Sequence, residues 1–334
     1  MTNIKTLSEV VSQVKSSDVG KRDFTLPVQE IVVTSRTGRI EIMDSLGNLQ
    51  HFNMNEHALG QLASRLGIPV NYARKCIEEN PSLLAQHANH WINTEQFRDK
   101  QWFVRTQGEF ARAFLTDKYS TLDNHYVVET LEGILGSSSE IDVKNLSIDP
   151  RYFNLRIIFK NLTSNIGTIQ KPDNVMVGMH VSNSEVGSSS LRIDSCLFRL
   201  VCENGLISRV GGSSLLAQRH AHLTDDEMER RVANAITESV KVGDGAVEKF
   251  AKLREIKVAD PLEEIKRLAQ QEKYSNNFID DLTMSYAIEK EFTRDDSAFT
   301  LVNAFTRSAQ NKQAFDQRLE VETFAGRLME NYLK

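Results

Sequence analysis

Residues 139–206 constrain the fold more than any other part of the sequence, because they form a series of short segments in which apolar and polar residues alternate. Clusters of Asn, Asp, Ser and Gly separate these segments, as is typical of turns between strands. No helical periodicity lies between them, and strands that follow one another directly favour antiparallel pairing over βαβ units. The segments are IDVKNLSI, FNLRIIFKNL, NVMVGMHVS and SLRIDSCLFRLV. We therefore expect an α+β fold with a mostly antiparallel central sheet packed with helices.

The pattern changes abruptly at residue 223, where helix signals replace the alternation. Thr224 and Glu227 have the spacing of a capping box, and the acidic residues beside them suit the first turn of a helix. Further helix starts are predicted at Asp260–Pro261, at Ser275 and at Asp295–Asp296, and a last helix is predicted over 313–333. The C-terminal third is therefore predicted to be all-helical.

The region before residue 139 combines strands and helices. Residues 29–54 alternate in three short segments with a turn at Thr37–Gly38, which predicts a hairpin and one further strand. Residues 55–95 have helical periodicity interrupted by glycine and proline, which predicts three short helices. The segments QWFVRTQ and ARAFLTD around Gln107–Gly108 predict a second hairpin.

The chain length suggests more than one structural unit, because 334 residues exceed the usual size of a single domain. Residues 1–27 are polar with little pattern, and we interpret them as an N-terminal arm. Residues 28–222 are predicted to form the α+β core domain with the antiparallel sheet. Residues 223–334 are predicted to form a helical C-terminal region, with oligomerisation as one possible role.

The charge distribution is uneven along the chain. The formal net charge is −5, so the molecule as a whole has no field that would attract a polyanion. Residues 151–222, however, contain eight Lys/Arg and four Asp/Glu, a local excess of +4. The flanks are acidic, at −4 for residues 1–150 and −5 for residues 223–334. Any contact with nucleic acid is therefore expected to use a local basic patch.

The sequence gives no sign of a secreted or membrane protein. Cys76, Cys196 and Cys202 are too few and too irregular for a disulfide framework or a zinc site, and we expect buried free thiols in a reducing compartment. The N-terminus lacks the apolar segment of a signal peptide, and no apolar run is long enough to span a bilayer. We expect a cytoplasmic protein without membrane contact.

Motifs of enzymes and cofactor sites are also absent. The sequence contains no G-x-S-x-G, H-E-x-x-H, G-x-G-x-x-G or G-x-x-x-x-G-K-[ST] in a strand-turn-helix context. We therefore expect no catalysis and no cofactor.

The histidines allow two interpretations. His220 and His222 form a tight pair that could bind a metal together with His180 and Asp173, although residues at i and i+2 share a face only on a strand. The alternative is that these polar residues simply close a sheet before the capped helix. We expect no bound metal and favour the second interpretation.

The serine-rich segment 182–195 is the first candidate binding element. Its backbone N–H groups and hydroxyls could hold a phosphate, or it could be a long hairpin turn. Arg192 and Arg199 follow directly, which favours phosphate binding. On a regular strand they would face opposite sides, so a one-residue bulge would be needed to bring both to one face.

A second candidate element lies between residues 97 and 119, where cationic and aromatic residues are interleaved. Proteins that bind single strands combine cationic grooves with rings on which bases stack, although core aromatics with solvated arginines explain the same composition. Strand alternation places Trp102 opposite Phe103 and Arg105, and places Arg112 on one face with Phe114. The predicted nucleic-acid-binding residues are Trp102, Arg105, Arg112, Lys118, Tyr119, Arg192, Arg199, Arg209 and Arg219.

Several strings together resemble, in order and spacing, the phage- and plasmid-encoded family labelled domain of unknown function 932. They are LGQLASRLGIPVNYARKC, RAFLTDKYSTLDN, NSEVGSSSLRIDSCLFRLVCENGL, RHAH and LVNAFTRSAQ, and they extend from about residue 50 to residue 310. Relatives often have NSHDGS where this chain has NSEVGS, so Val186 replaces an aspartate. The resemblance implies a mobile-element protein that acts in phage or plasmid DNA metabolism or in defence evasion, and it implies no catalytic residues.

We expect a single-stranded DNA binding or annealing protein that works as a homo-oligomer, with the C-terminal helices joining subunits. This hypothesis requires the predicted arginines to converge on one exposed furrow. The alternative is an interaction protein that inhibits a host defence or restriction factor, since its acidic flanks could mimic DNA. A nuclease that uses Asp173, His180, Glu185 and His222 ranks last, because these residues lack a recognisable metal-ligand spacing.

Overall fold

The computed structural model describes residues 6–136, 140–200, 204–209, 213–220, 224–312 and 315–334. Within these ranges no helix has both the length and the hydropathy needed to cross a membrane. Cys76 and Cys196 are buried free thiols, as expected. Cys202 and His222 lie outside the described residues.

The first sheet has six strands in the order β1-β5-β6-β4-β3-β2. They are β1 (Lys21–Pro27), β2 (Val32–Val33), β3 (Ile40–Met43), β4 (Leu49–Met54), β5 (Gln101–Gln107) and β6 (Phe110–Thr116). All neighbours pair antiparallel except β4 and β6, which are parallel. Both predicted hairpins are confirmed, as β2–β3 and β5–β6.

Three short helices cover one face of this sheet, as the sequence predicted: α2 (Glu56–Arg65), α3 (Val70–Glu79) and α4 (Pro81–Ile92). Gly67 follows α2 with a φ of 70°, a left-handed conformation that few other residues adopt without cost. Leu59 and Leu62 of α2 pack with Trp102 and Phe114 in a core shared by the helices and the sheet.

The interpretation of residues 1–27 as an arm is not supported, because residues 7–27 are folded. Thr6 and Glu9 form a capping box that begins α1 (Leu7–Ser17). The apolar face of α1, which includes Val10 and Val14, is buried in the core with residues of α5 (Asn124–Leu135). β1 then pairs with β5 along its whole length.

The second sheet is antiparallel, with the order β11-β10-β9-β8-β7 and with β12 also paired to β10. Its strands are β7 (Ile141–Ile148), β8 (Phe153–Asn165), β9 (Asn174–Asn183), β10 (Leu191–Arg199), β11 (Asn204–Ser208) and β12 (Leu216–Gln218). The predicted antiparallel sheet is therefore confirmed.

The C-terminal region is all-helical, as expected: α6 (Asp225–Lys252), α7 (Pro261–Gln271), α8 (Asn276–Thr293), α9 (Ala298–Gln310) and α10 (Phe315–Tyr332). The side chains of Thr224, Asp260 and Ser275 accept hydrogen bonds from the first turns of α6, α7 and α8. Ser297, rather than the Asp295–Asp296 pair, caps α9.

The buried cores divide the chain differently from the predicted boundary at residue 222. One core joins the first sheet to α2–α4. The second core joins α1, α5, the second sheet and all five C-terminal helices. The helical region is therefore part of the same packed unit as the second sheet, as Gly243 of α6 shows by lying directly against Val177 of β9.

Candidate functional site

The loop between β9 and β10, residues 183–188, lies where the two sheets meet. Ser184 Oγ accepts a hydrogen bond of 3.0 Å from the backbone N–H of Ser188. Gly187 has a φ of 75°, and a Cβ there would lie 2.6 Å from a methyl group of Leu115. A residue with a side chain would therefore be strained at this position, which favours glycine.

Glu185 lies in this loop with 2% of its surface exposed. Its carboxylate accepts hydrogen bonds from Lys21 Nζ at 2.8 Å, Arg112 Nη2 at 2.7 Å and the Asn124 backbone N–H at 2.9 Å. Burial alone would raise the pKa of Glu185, but the Lys21 charge, the Asn124 N–H and Arg112 together lower it to about 2. Glu185 therefore stays ionised and joins β1, β6 and α5.

Arg105 is the centre of a second set of ion pairs, with 1% of its surface exposed. Its Nε and Nη2 form a bidentate pair with Asp23 at 3.0 and 3.1 Å, and its Nη1 lies 2.7 Å from Asp123. The same Nη1 donates to the Glu185 carbonyl at 3.0 Å. Although burial opposes the charged form, the two carboxylates hold the pKa of Arg105 above its ordinary value.

We call these residues the junction cluster: Asp18, Lys21, Asp23, Arg105, Arg112, Asp123 and Glu185. Tyr119 and His220 close one side of it, with stacked rings whose centroids are 4.9 Å apart. The Tyr119 hydroxyl lies 3.0 Å from the Glu185 carbonyl and 2.7 Å from His220 Nδ1. Burial, together with the charge of Arg105, lowers the pKa of His220 to about 4. Each cation of the cluster has a carboxylate partner, so the cluster stabilises the junction and leaves no charge for a ligand.

The positions of Arg112 and Phe114 correct the predicted strand faces. The β5–β6 register shifts between Arg105 and Thr106, so that Arg105 pairs with Ala113 and Thr106 with Ala111. Arg112 is therefore the extra residue of a bulge. It pairs with Glu185, whereas Phe114 lies in the core with Trp102.

A cleft of about 700 Å³ opens beside the 183–188 loop, between the helices of the first sheet and the β7–β8 turn. We call it the arginine cleft, because Arg65, Arg74 and Arg151 line it together with His57 and Gln61. Its volume is in the range of small-ligand sites.

The arginines of the cleft differ in how fully they are engaged. Arg65 donates through Nε to the Phe114 carbonyl at 2.9 Å, and no hydrogen bond from its two Nη groups is found among the described residues. Arg151 donates through Nε to Ser188 Oγ at 3.3 Å, while Arg74 is paired with Glu56. Guanidinium groups with unused N–H donors in a cleft can bind an anionic group such as phosphate.

Three of the predicted residues, Lys118, Arg192 and Arg219, are exposed and form no ion pair with a described residue. Arg192 pairs across the sheet with Ser182 at one end of β9, and Arg219 directly follows β12, which pairs with the same end of β10. Arg151 of the cleft directly precedes β8 at this end. Lys118 precedes Tyr119, whose ring stacks on His220. These four cations therefore share one end of the second sheet.

The other predicted residues are not available to a nucleic acid. Trp102 is 3% exposed and packs edge-on against Phe97 and Phe114 in the core of the first sheet. Tyr119 is engaged with His220. Arg105 and Arg112 belong to the junction cluster. The predicted convergence of all these residues on one exposed furrow is therefore wrong.

Arg199 and Arg209 are also tied to carboxylates, so neither belongs to an exposed patch. Arg199 is 2% exposed and forms a bidentate pair with Asp173 at 2.7 and 2.8 Å, and it also pairs with Glu289. Arg209 forms a bidentate pair with Asp194 at 2.9 Å. The β9–β10 register is unbroken from Arg192 to Arg199, so the proposed bulge is absent and these two face opposite sides.

The structure does not assemble the metal site considered from sequence. Asp173 is bound by Arg199 and Arg254, His180 is buried in the second sheet, and His220 stacks on Tyr119. In the part of the chain that the structure describes, no group of three or more His, Cys, Asp or Glu side chains could hold a metal ion.

Sequence reasoning missed the arginine cleft, because Arg65 and Arg151 are far apart in the sequence and neither lies in a basic run. A signal was present in the resemblance, since the string LGQLASRLG supplies Gln61 and Arg65 and the string NSEVGSSS supplies Ser188. Gln61 Nε2 donates to the Val186 carbonyl at 2.9 Å, which joins the two strings in space.

Comparison with known proteins gives one result. The family described as Domain of unknown function (DUF932) matches residues 113–325, from β6 to α10. This match contains the 183–188 loop and the second sheet, but not α2 and its side of the cleft. No curated protein and no solved structure matches the chain.

Proposed function

Because the chain belongs to the DUF932 family, whose description assigns no activity, we propose its function from its exposed charges: it binds single-stranded DNA without cleaving it. The observation that supports this is the group of cations at one end of the second sheet, where Lys118, Arg192 and Arg219 lie on the same side as the arginine cleft. These side chains are the exposed members of the predicted set.

The proposed binding uses phosphates rather than base stacking. The rings expected to stack on bases are already engaged, because Trp102 is buried in the core and Tyr119 stacks between Phe103 and His220. The exposed cations can neutralise a phosphate backbone. Arg65 and Arg151 would hold a phosphate in the cleft, with Arg192, Arg219 and Lys118 following the strand outside it. Binding of this kind depends little on base sequence.

We also propose a homo-oligomer and a phage or plasmid setting. Met284 and Ile288 of α8 are 67% and 48% exposed and lie one turn apart, so they form an apolar strip on the outer face of the helical region. Such a strip suits contact with a second copy, and several copies in a row would suit an annealing protein. The proposal of a phage or plasmid setting rests on the family resemblance alone.

The proposal is tested by fluorescence anisotropy with a labelled single-stranded oligonucleotide at two salt concentrations. We expect the triple variant R151A/R192A/R219A to bind weakly, and the dependence of log K on log salt to decrease by about 2, since each phosphate contact on a single strand contributes about 0.7. The matched control is R36A/K160A/K252A, which removes three exposed cations from other parts of the surface. Native mass measurement with and without the oligonucleotide tests assembly in the same samples.

The proposal is contradicted if the protein does not bind the oligonucleotide or if binding does not depend on salt. It is also contradicted if both triple variants weaken binding equally. A stoichiometric host protein captured without any oligonucleotide affinity would favour the alternative, inhibition of a host defence or restriction factor. The β3–β4 hairpin is then the surface to mutate, because Met43, Leu46 and Leu49 are all more than half exposed there.

A further inference from the structure

A row of buried polar side chains crosses the second sheet on the face opposite to Val177 and Met179. Strand register aligns Arg156 of β8 with His180 of β9, and His180 with Asp194 of β10. All three are at most 1% exposed. A polar row at the centre of a sheet is costly unless each group is paired.

The charges around this row do not balance. Both Nη groups of Arg156 contact Glu322 of α10, which also accepts from Arg318 Nε at 3.1 Å. Asp194 is occupied by the bidentate pair with Arg209. We call this group, with His180, the sheet-face cluster. It contains three guanidinium groups and two carboxylates, so its described side chains carry one uncompensated positive charge.

Two members of the cluster also have buried nitrogen atoms without a hydrogen-bond partner among the described residues. Arg156 Nε and both ring nitrogens of His180 are buried and form no hydrogen bond with any described residue. Burial and the neighbouring arginines lower the pKa of His180 well below 6.5, so the ring is neutral at pH 7 with one N–H to donate. Cys196 on the same face supplies no negative charge, because burial raises its pKa to about 12.

We infer that a small monovalent anion of halide size binds between Arg156 Nε and the His180 N–H. A water molecule would satisfy the two donors but would leave the extra positive charge without a counter-ion, and a metal cation would be repelled by the three guanidinium groups. A larger ligand does not fit, since Phe315 stacks on His180 with centroids 5.8 Å apart and Gly205 packs against the Arg156 guanidinium.

Arg209 connects the cluster to solvent. It lines a cavity of about 380 Å³ between β11 and α10, together with Arg327, Lys334 and Glu330. The cations outnumber the carboxylate in this cavity, so its field attracts anions. Arg209 is bound to Asp194, which pairs in register with His180, so Arg209 lies between this cavity and the buried row.

The first experiment measures thermal unfolding of the full chain in sodium bromide and in sodium gluconate at equal ionic strength. We expect bromide to raise the Tm of the wild type by a few degrees, since a ligand that binds only the folded state stabilises it. H180F keeps an aromatic ring and removes the N–H, so it should show no difference between the salts. R36A, which changes an exposed cation outside the proposed DNA-binding set, should keep the full difference. Equal bromide effects in wild type and H180F overturn the inference.

A second measurement does not depend on a variant that folds. The ⁸¹Br NMR line of a bromide solution should broaden on addition of wild-type protein and narrow again when chloride is added in excess. Anomalous diffraction from crystals grown in bromide should then show a peak beside Arg156 Nε. Ordered water there with no anomalous signal contradicts the inference, as does a line width that the protein leaves unchanged.

Discussion

The junction cluster and the sheet-face cluster are built from the same kinds of side chain but differ in charge balance. The junction cluster has three cations and four carboxylates, and each cation contacts a carboxylate. The sheet-face cluster has three cations and two carboxylates, and some of its donors have no partner in the described part of the chain. The first can be understood as part of the fold, whereas the second is the site at which we propose that an anion binds.

The largest expected effect concerns Glu185, because Lys21 and Arg112 of the junction cluster both pair with its buried carboxylate. E185Q keeps the side-chain shape but leaves Arg112 without its buried counter-ion, and leaves Lys21 with Asp18 as its carboxylate partner. We expect a loss of about 3–5 kcal/mol in the free energy of unfolding, measured by urea denaturation. The loss should be the same in bromide and in gluconate, because the cluster binds no anion.

The control for this change is E263Q, which removes a carboxylate from the solvent-exposed pair with Lys266. Its stability should be almost unchanged, because water and salt screen that pair. If E185Q were as stable as E263Q, the junction cluster would not hold the two sheets together.

The next largest effect is the loss of stability at low pH. It involves His220, beside the junction cluster, and His180 of the sheet-face cluster. The pKa of His220 is about 4 in the folded protein and near 6.5 in the unfolded chain, so the unfolded chain takes up the proton first as the pH falls. Stability is therefore present above pH 6.5 and decreases towards pH 4, by about 3 kcal/mol from His220. His180 adds to the loss in the same direction, because its pKa is also lowered.

Variants separate the two contributions. H220N keeps an acceptor near the Tyr119 hydroxyl and removes the titrating ring, so the slope of unfolding free energy between pH 4 and 6.5 should decrease. H180F should decrease it independently. A slope that neither variant changes would show that other groups cause the acid sensitivity.

Local signals in the sequence predicted most of the secondary structure but not the ion pairs. The alternation of apolar and polar residues predicted the strands. Thr224, Asp260 and Ser275 predicted helix starts, because a capping side chain bonds to a backbone N–H in the first turn of its own helix. Arg105 and Asp23, in contrast, are 82 positions apart. They pair because β1 belongs to the first sheet, whereas the interpretation of residues 1–27 as an arm placed no strand there. A run of cations in sequence therefore says little about exposure until the strand partners are known.

The smallest expected effects concern two polar side chains, Tyr119 beside the junction cluster and His180 in the sheet-face cluster. Y119F removes a hydroxyl that is hydrogen-bonded beside the junction cluster, and we expect it to cost about 1 kcal/mol of unfolding free energy. H180F in gluconate removes ring nitrogens that have no partner among the described residues, so it should cost less than Y119F or even stabilise the protein. In bromide, H180F should cost more unfolding free energy than Y119F, because the substitution then also removes binding of the anion. Parallel urea titrations of both variants in the two salts measure this, and an order that is the same in both salts would remove the distinction between the clusters.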